Sequence, residues 1–217
     1  MRISLLQPHI IRGDIVYNRR VIQRLVEASQ GDLLVLPEYA LTGSLVLDRS
    51  ADVWEWARAS VDAKALFCLP EGKCLLVNAL AEFDDRLYNC CDLLPTGQRY
   101  CKLFPDQTER EAGIAPGTEQ KTFELHGRRF KAVVCFDLPH IDQIPTHGLD
   151  FLLFIYHFTH ENLSRVLPLV RDVSKERGLP VLASSLVSDK NDGFSSYVNG
   201  DVVVSLPRQE GILEVEI

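Results

Sequence analysis

A short apolar run bounded by Asp32 and Pro37 constrains the fold of this chain more than any other feature. The run, Leu33 to Leu36, contains no polar residue and ends at a proline. Uninterrupted runs of this length are typical of a strand that is buried on both faces of its sheet. We therefore expect a sheet that is covered on both sides.

Strand patterns alternate with amphipathic helix patterns in the first and last thirds of the chain, and strands dominate the middle. Helices are predicted over 14–30, 50–64 and 163–177. Strands are predicted over 2–7, 32–37, 73–83, 88–94, 97–102, 121–125, 129–136, 150–156, 180–185, 195–199, 201–206 and 211–217. The stretch 104–117 is predicted to be a loop, and Asn199-Gly200 to form a type I′ hairpin turn. Together these patterns predict one α/β domain over 1–217, with mixed sheets covered by helices.

Charge and hydropathy exclude several classes of partner. The net charge is -7, which leaves no basic face to neutralise phosphates, so we expect neither nucleic acid nor a membrane surface as a partner. The most apolar segment, Leu149 to Phe158, contains Asp150 and His157 and falls well short of the roughly 20 residues that span a bilayer. The first eight residues predict a strand rather than a signal peptide. We expect a soluble, cytoplasmic protein.

The six cysteines do not form a metal-binding pattern. No pair has the C-x2-C spacing of a zinc site, and Cys90 and Cys91 are adjacent. Without a secretion signal, reduced thiols are favoured over disulfides. The five cysteines other than Cys135 are therefore predicted to be small, buried, reduced side chains.

Three polar residues lie at or just after the ends of apolar runs: Glu38, Lys102 and Cys135. A thiol needs a base to become a nucleophile, and a carboxylate at the end of a buried strand can act as that base. Lys102 and the main-chain amide of Phe136 would then stabilise an oxyanion. Taken one at a time, each residue has an ordinary alternative, namely a core cysteine or a solvated surface charge. Together they predict acyl-transfer chemistry.

The residues around these three positions resemble the nitrilase, or carbon-nitrogen hydrolase, superfamily over nearly the whole chain. The matching segments keep the family's order and spacing. They are Leu6-Gln7-Pro8, Gly13-Asp14, Asn18, residues 32–38, Thr42-Gly43, Leu87-Tyr88-Asn89, Tyr100-Cys101-Lys102, Ala115-Pro116-Gly117 and Cys135-Phe136-Asp137.

The resemblance implies a four-layer α-β-β-α sandwich of two mixed sheets with helices outside. It also implies a Glu38 base, a Lys102 oxyanion partner and a Cys135 nucleophile acting on a C–N bond of a small amide, with no metal or organic cofactor. For the family's second glutamate, Glu111 fits better than Glu109, although the shortened loop leaves both open. By the same analogy we expect a homodimer, while the shortened segment after Cys135 leaves the subunit contacts open.

The substrate pocket is expected to be unusual. Tyr156 is the last residue of the predicted strand 150–156 and His157 follows it, at a point where relatives place small, proline or tryptophan residues. Asn89 is a further pocket candidate, although a strand-edge asparagine that satisfies backbone groups fits equally well, and His157 also fits a surface position. Two other functions fit the same residues: an N-acyltransferase, and a catalytically silent binding or regulatory protein. The sequence does not name the amide.

Overall fold

The computed structural model describes residues 1–44 and 52–217, which form two six-stranded mixed sheets. The strands are β1 Arg2–Gln7, β2 Leu33–Val35, β3 Cys74–Phe83, β4 Arg86–Leu94, β5 Gln98–Cys101, β6 Phe123–Leu125, β7 Arg128–Val134, β8 Phe151–Ile155, β9 Val181–Ser184, β10 Ser196–Asn199, β11 Val202–Ser205 and β12 Gly211–Glu216. The strand order is β12-β1-β2-β3-β4-β5 in the first sheet and β11-β10-β9-β8-β7-β6 in the second.

The helices lie against the sheets and begin at polar caps. They are α1 Ile15–Ala28, α2 Val53–Ala65, α3 Gln107–Glu111, a 3-10 helix Cys135–Gln143 and α4 His160–Arg177. The side chain of Asp14 accepts from Tyr17 N, as expected of an N-cap, and Gly178 ends α4 in the left-handed conformation. Ser50, the predicted first residue of the second helix, lies outside the described residues.

The apolar run that constrained the fold is buried on both faces. Leu33 and Val35 join a core cluster that draws on strands of both sheets, so this cluster fills the space between the sheets. Leu34 and Leu36 point the other way and pack with residues of α1. On the far side, α4 packs on the second sheet through residues such as Val170. The predicted four-layer sandwich is thus confirmed.

Three local predictions were wrong. The predicted loop 104–117 contains α3. The strand predicted over 129–136 ends at Val134, because the backbone turns at Cys135 into the 3-10 helix. In the hairpin between β10 and β11, Asn199 pairs with Val202, so the two loop residues are 200 and 201. Within that loop only Gly200 has a positive φ, 59°. This pattern fits a type II′ turn rather than type I′.

The cysteines also differ from the prediction. Cys90 and Cys101 lie directly opposite each other on β4 and β5 and form a disulfide. The strand register causes this pairing, and the spacing of the two residues along the chain does not reveal it. Cys68 is exposed, whereas Cys74 and Cys91 are free and buried as expected.

Within the described ranges, no helix is long and apolar enough to cross a membrane.

Candidate active site

Glu38, Lys102 and Cys135 line one cavity of about 320 Å³. Glu38 and Lys102 come from the first sheet, since Glu38 follows β2 and Lys102 follows β5. Cys135 follows β7 of the second sheet. The cavity therefore lies where strand ends of the two facing sheets meet. Other described residues in its wall include Tyr39, Asp106, Glu109, Tyr156, His157, Asn162 and Ser188.

Lys102 lies between two carboxylates in the floor of the cavity. Its Nζ is 2.6 Å from Glu109 Oε2 and 3.2 Å from Glu38 Oε1. Lys102 is 1% exposed and Glu38 is 3% exposed. Buried charges of this kind are tolerated only when they are paired and hydrogen-bonded, so the three groups depend on one another.

The two carboxylates differ in how their oxygens are used. Glu109 Oε1 accepts from Tyr39 OH and Asn89 Nδ2, each at 2.9 Å, and Glu109 Oε2 accepts from Lys102 and from Asp106 N. Glu38 Oε1 accepts from Lys102 and Asn89. Among the described residues, no donor bonds to Glu38 Oε2. Glu38 therefore keeps one oxygen available to the cavity, and Glu109 keeps none.

Asn89 bridges the two carboxylates from behind. It is 1% exposed and donates from one Nδ2 to Glu38 and Glu109. Its Oδ1 accepts from Asn78 Nδ2 at 2.7 Å, and Asn78 Oδ1 in turn accepts from Tyr39 N at 3.0 Å. Asn89 is thus placed behind the site rather than among the described residues that line the cavity, contrary to its prediction as a pocket residue.

Cys135 adopts a backbone conformation that is uncommon for a residue with a side chain. Its φ is 45°, at the junction between β7 and the 3-10 helix. The buried carboxylate of Asp137 holds this junction by accepting from Val134 N at 3.0 Å, Phe104 N at 3.0 Å and Tyr100 OH at 2.7 Å. These contacts fix the direction in which the thiol leaves the backbone.

Phe136 is the second residue of the 3-10 helix, and the residue is 41% exposed. Main-chain N–H groups in the first turn of a helix have no acceptor within the helix. The Phe136 amide, next to Cys135 in the chain, therefore has no acceptor within the 3-10 helix.

The charges of the site control protonation. Burial raises the pKa of the Cys135 thiol well above its ordinary value, the charge of Glu38 raises it further, and Lys102 opposes both. Burial would lower the pKa of Lys102, but Glu38, Cys135 and Glu109 outweigh it and raise that pKa. Burial would raise the pKa of Glu109, but Lys102 outweighs it and the pKa is lowered. In the resting site the Cys135 thiol is therefore neutral, Lys102 is protonated and Glu109 is ionised.

The structure places Tyr156 and His157, the two candidates for the substrate pocket after β8, in the wall of the cavity. His157 Nε2 forms a hydrogen bond with the main-chain oxygen of Glu38. Because a carbonyl oxygen only accepts, Nε2 carries the proton and the ring is held against the Glu38 segment. Half-buried His157 thus connects the end of β8 with the residues after β2.

The second glutamate in the cavity is Glu109, and not Glu111, which the sequence favoured. Glu111 is the last residue of α3 and is exposed, with Oε1 accepting from Gln107 Nε2 at 2.8 Å. Glu109 instead forms a capping box with Asp106, which turns its side chain back toward Lys102. Asp106 and Glu109 have the D-x-x-E spacing of a helix start, and this signal could have identified both α3 and Glu109.

Comparison with known proteins gives structural but not sequence matches. No family model and no curated protein matches the chain. An amidase variant of the nitrilase superfamily from Nesterenkonia AN1 has a TM-score of 0.84 at 19% identity, with 100% of this chain and 90% of that chain covered. A CN-hydrolase superfamily protein from Xanthomonas campestris, solved with an arsenic adduct in its active site, has a TM-score of 0.78 at 22% identity, with 99% and 89% covered.

A glutamine-dependent NAD+ synthetase from Acinetobacter baumannii matches with a TM-score of 0.81 at 17% identity. The match covers 98% of this chain but 44% of the synthetase, so the chain spans less than half the length of that protein. All three likenesses concern the fold.

Proposed function

Because this chain has the fold of the nitrilase, or CN-hydrolase, superfamily, we propose that it hydrolyses a non-peptide carbon–nitrogen bond in a small amide. The observation that carries the proposal is the single cavity in which Cys135, Lys102 and Glu38 meet. A thiol, an ammonium and a carboxylate in a confined site are the groups needed for acyl transfer through a thioester.

In the first half of the reaction, Glu38 takes the proton of the Cys135 thiol while the sulfur bonds to the amide carbon. The carbonyl electron pair moves to the oxygen, and Lys102 and the Phe136 amide stabilise the resulting oxyanion. Glu38 Oε2 has no donor among the residues that the structure describes, which supports the assignment of Glu38 as the base. The raised pKa of Cys135 fits proton transfer during attack rather than a thiolate formed beforehand.

In the second half, the oxyanion collapses and the C–N bond breaks. Glu38 returns its proton to the nitrogen, so ammonia or an amine leaves and a thioester remains on Cys135. Water then attacks the thioester, with Glu38 again taking a proton, and the acid product leaves as the thiol is restored.

Glu109 has a different role in this proposal. Both of its carboxylate oxygens accept hydrogen bonds. The described donors are Lys102, Asn89, Tyr39 and the Asp106 amide. It therefore keeps Lys102 charged and in place, and does not exchange protons with the substrate.

The test is incubation of the protein with a panel of small primary amides, with ammonia release and the intact mass as readouts. We expect ammonia release and a transient acyl adduct on the wild-type protein, with both absent from Cys135→Ala. Absence of ammonia and adduct in the wild type across the panel would refute the proposal.

Acyl transfer to an amine would use the same residues and differ only in what attacks the thioester. Hydroxylamine added to the reaction distinguishes the two, because a transferase forms product only when the amine is present. We expect ammonia release without any added amine. The amidase neighbours support hydrolysis, and no feature of the described residues favours transfer or a silent binding role.

A further inference from the structure

Tyr156 forms a fixed part of the cavity wall on the Cys135 side. It directly follows β8, which pairs with β7 in parallel so that Val134 lies opposite Ile155. Its ring stacks on Phe154 at 4.9 Å and meets Phe158 edge-on at 5.2 Å. Both phenylalanines are buried. The aromatic contacts therefore hold the Tyr156 ring in one place.

The hydroxyl of Tyr156 is oriented by Asn162. Asn162 Nδ2 donates to Tyr156 OH at 3.0 Å and to the His157 oxygen at 3.1 Å, while Asn162 Oδ1 accepts from Thr159 N at 2.9 Å. These contacts fix which end of the amide faces the tyrosine. The phenol oxygen thus serves as an acceptor for Asn162, and among the described residues none accepts the phenol proton. That proton is available to a molecule in the cavity.

The position of Tyr156 indicates which part of a substrate it meets. In the proposed reaction the amide nitrogen lies toward Glu38, which protonates it, and Glu38 belongs to the first sheet. Tyr156 directly follows β8 of the second sheet and lines the same cavity as the nucleophile. The acyl chain lies on the opposite side of the attacked carbon from the nitrogen. In the proposed reaction it therefore points toward the second sheet and Tyr156.

We propose that Tyr156 is a specificity-determining residue that selects small, uncharged primary amides whose acyl chain carries a hydrogen-bond acceptor, such as an ether, hydroxyl or carbonyl oxygen. This proposal rests on the proposed function. An uncharged acceptor is favoured because the described wall of the cavity already holds four carboxylates against three cationic side chains. The carboxylates are Glu38, Asp106, Glu109 and Asp189, and the cations are Arg12, Lys102 and Lys190. Burial, together with the nearby Cys135 and Glu38, raises the pKa of Tyr156, which keeps its hydroxyl a donor at physiological pH.

Butyramide and methoxyacetamide test the proposal, because they have nearly the same shape and differ by one CH2 replaced by an ether oxygen that only accepts. The measurement is kcat/KM for both amides in the wild type and in Tyr156→Phe. We expect the methoxyacetamide-to-butyramide ratio to fall about 3- to 10-fold in the variant, as for loss of one neutral hydrogen bond. Tyr197→Phe, on β10, is the matched control and should keep the wild-type ratio.

A ratio that is the same within twofold in wild type and Tyr156→Phe, with both amides hydrolysed, would overturn the role of Tyr156 and leave the proposed function intact. If the wild type hydrolyses neither amide, binding decides the role of Tyr156, and the panel of small primary amides decides the proposed function separately. In that case, NMR titration of Cys135→Ala should show tighter binding of methoxyacetamide than of butyramide, and adding Tyr156→Phe should remove the difference. Equal binding of the two amides to Cys135→Ala would reject the proposal.

Discussion

Glu38 and Glu109 share the ammonium of Lys102, yet only Glu38 has an oxygen without a donor among the described residues. Two carboxylates on one cation can therefore have separate tasks. The carboxylate with a free oxygen can exchange a proton, and the saturated one can only hold its partners.

Glu38→Gln should consequently affect activity most, and Glu109→Gln should affect stability most. Glu38→Gln removes the acid–base group, and we expect amide kcat/KM to fall about 100- to 10,000-fold. It should lower stability less than Glu109→Gln does, because Lys102 keeps its shorter, 2.6 Å contact with Glu109. Glu109→Gln removes a buried partner of Lys102, and we expect a loss of about 3 kcal/mol in the free energy of unfolding, with a smaller loss of activity. Urea titrations and amide kinetics on both variants measure these effects. A Glu38→Gln enzyme with near wild-type kcat/KM would contradict the assignment.

The pH dependence of Cys135 alkylation should shift in opposite directions when its two charged neighbours are changed. Glu38 raises the pKa of the thiol and Lys102 lowers it. In Glu38→Gln we therefore expect the alkylation curve to move to lower pH, although hydrolysis is lost. In Lys102→Met it should move to higher pH.

The measurement is the rate of iodoacetamide labelling at Cys135 between pH 6 and 10, followed by peptide mass spectrometry. Exposed Cys68 is first replaced by serine so that it does not consume reagent. Curves that move in the same direction in both variants would show that the two charges do not act on the thiol as the structure places them.

Asn89 should affect catalysis although it does not line the cavity. Asn89→Asp places a third carboxylate against Glu38 and Glu109 in place of a donor, and we expect kcat/KM to fall about 100-fold or more. Asn89→Ala only removes the donor, so a loss of about 10-fold is expected. Asn199→Asp, at an exposed hairpin position, is the control. If Asn89→Asp kept full activity, the bridge between the carboxylates would have no role.

The disulfide between Cys90 and Cys101 predicts a specific labelling result. Under denaturing, non-reducing conditions four of the six cysteines should react with iodoacetamide, and all six after reduction. Asn89 precedes Cys90 and Lys102 follows Cys101, and the main-chain N–H of Lys102 donates to the Asn89 oxygen at 2.8 Å. Replacing both Cys90 and Cys101 by serine should therefore lower stability by about 2 to 4 kcal/mol and also reduce activity. Six reactive cysteines without reduction would contradict the bond.

The sequence predicted the parts of the site that depend on buried strands. Glu38 directly follows an apolar run and Cys135 lies at the end of another, and such runs report burial whatever surrounds them. Lys102 follows Gln98-Arg99-Tyr100-Cys101, which is not apolar, so its assignment depended on the family resemblance. Glu109 was underrated because the choice between it and Glu111 depends on the phase of α3, a helix of five residues that sets which side chain turns inward. The disulfide was missed because it depends on the register between β4 and β5, which the residue pattern does not specify.

Glu109 has donors on both oxygens, whereas Glu38 Oε2 has none among the described residues, so the summed charge of Glu38, Glu109, Lys102 and the reacting atoms can be followed through turnover. In the resting site of the proposed mechanism, two carboxylates and one ammonium give a net charge of about minus one. When the oxyanion forms, Glu38 has become neutral by taking the thiol proton, so the total is unchanged. A confined, weakly screened cavity thus never has to accept an additional ion, and the chemical step should vary little with ionic strength.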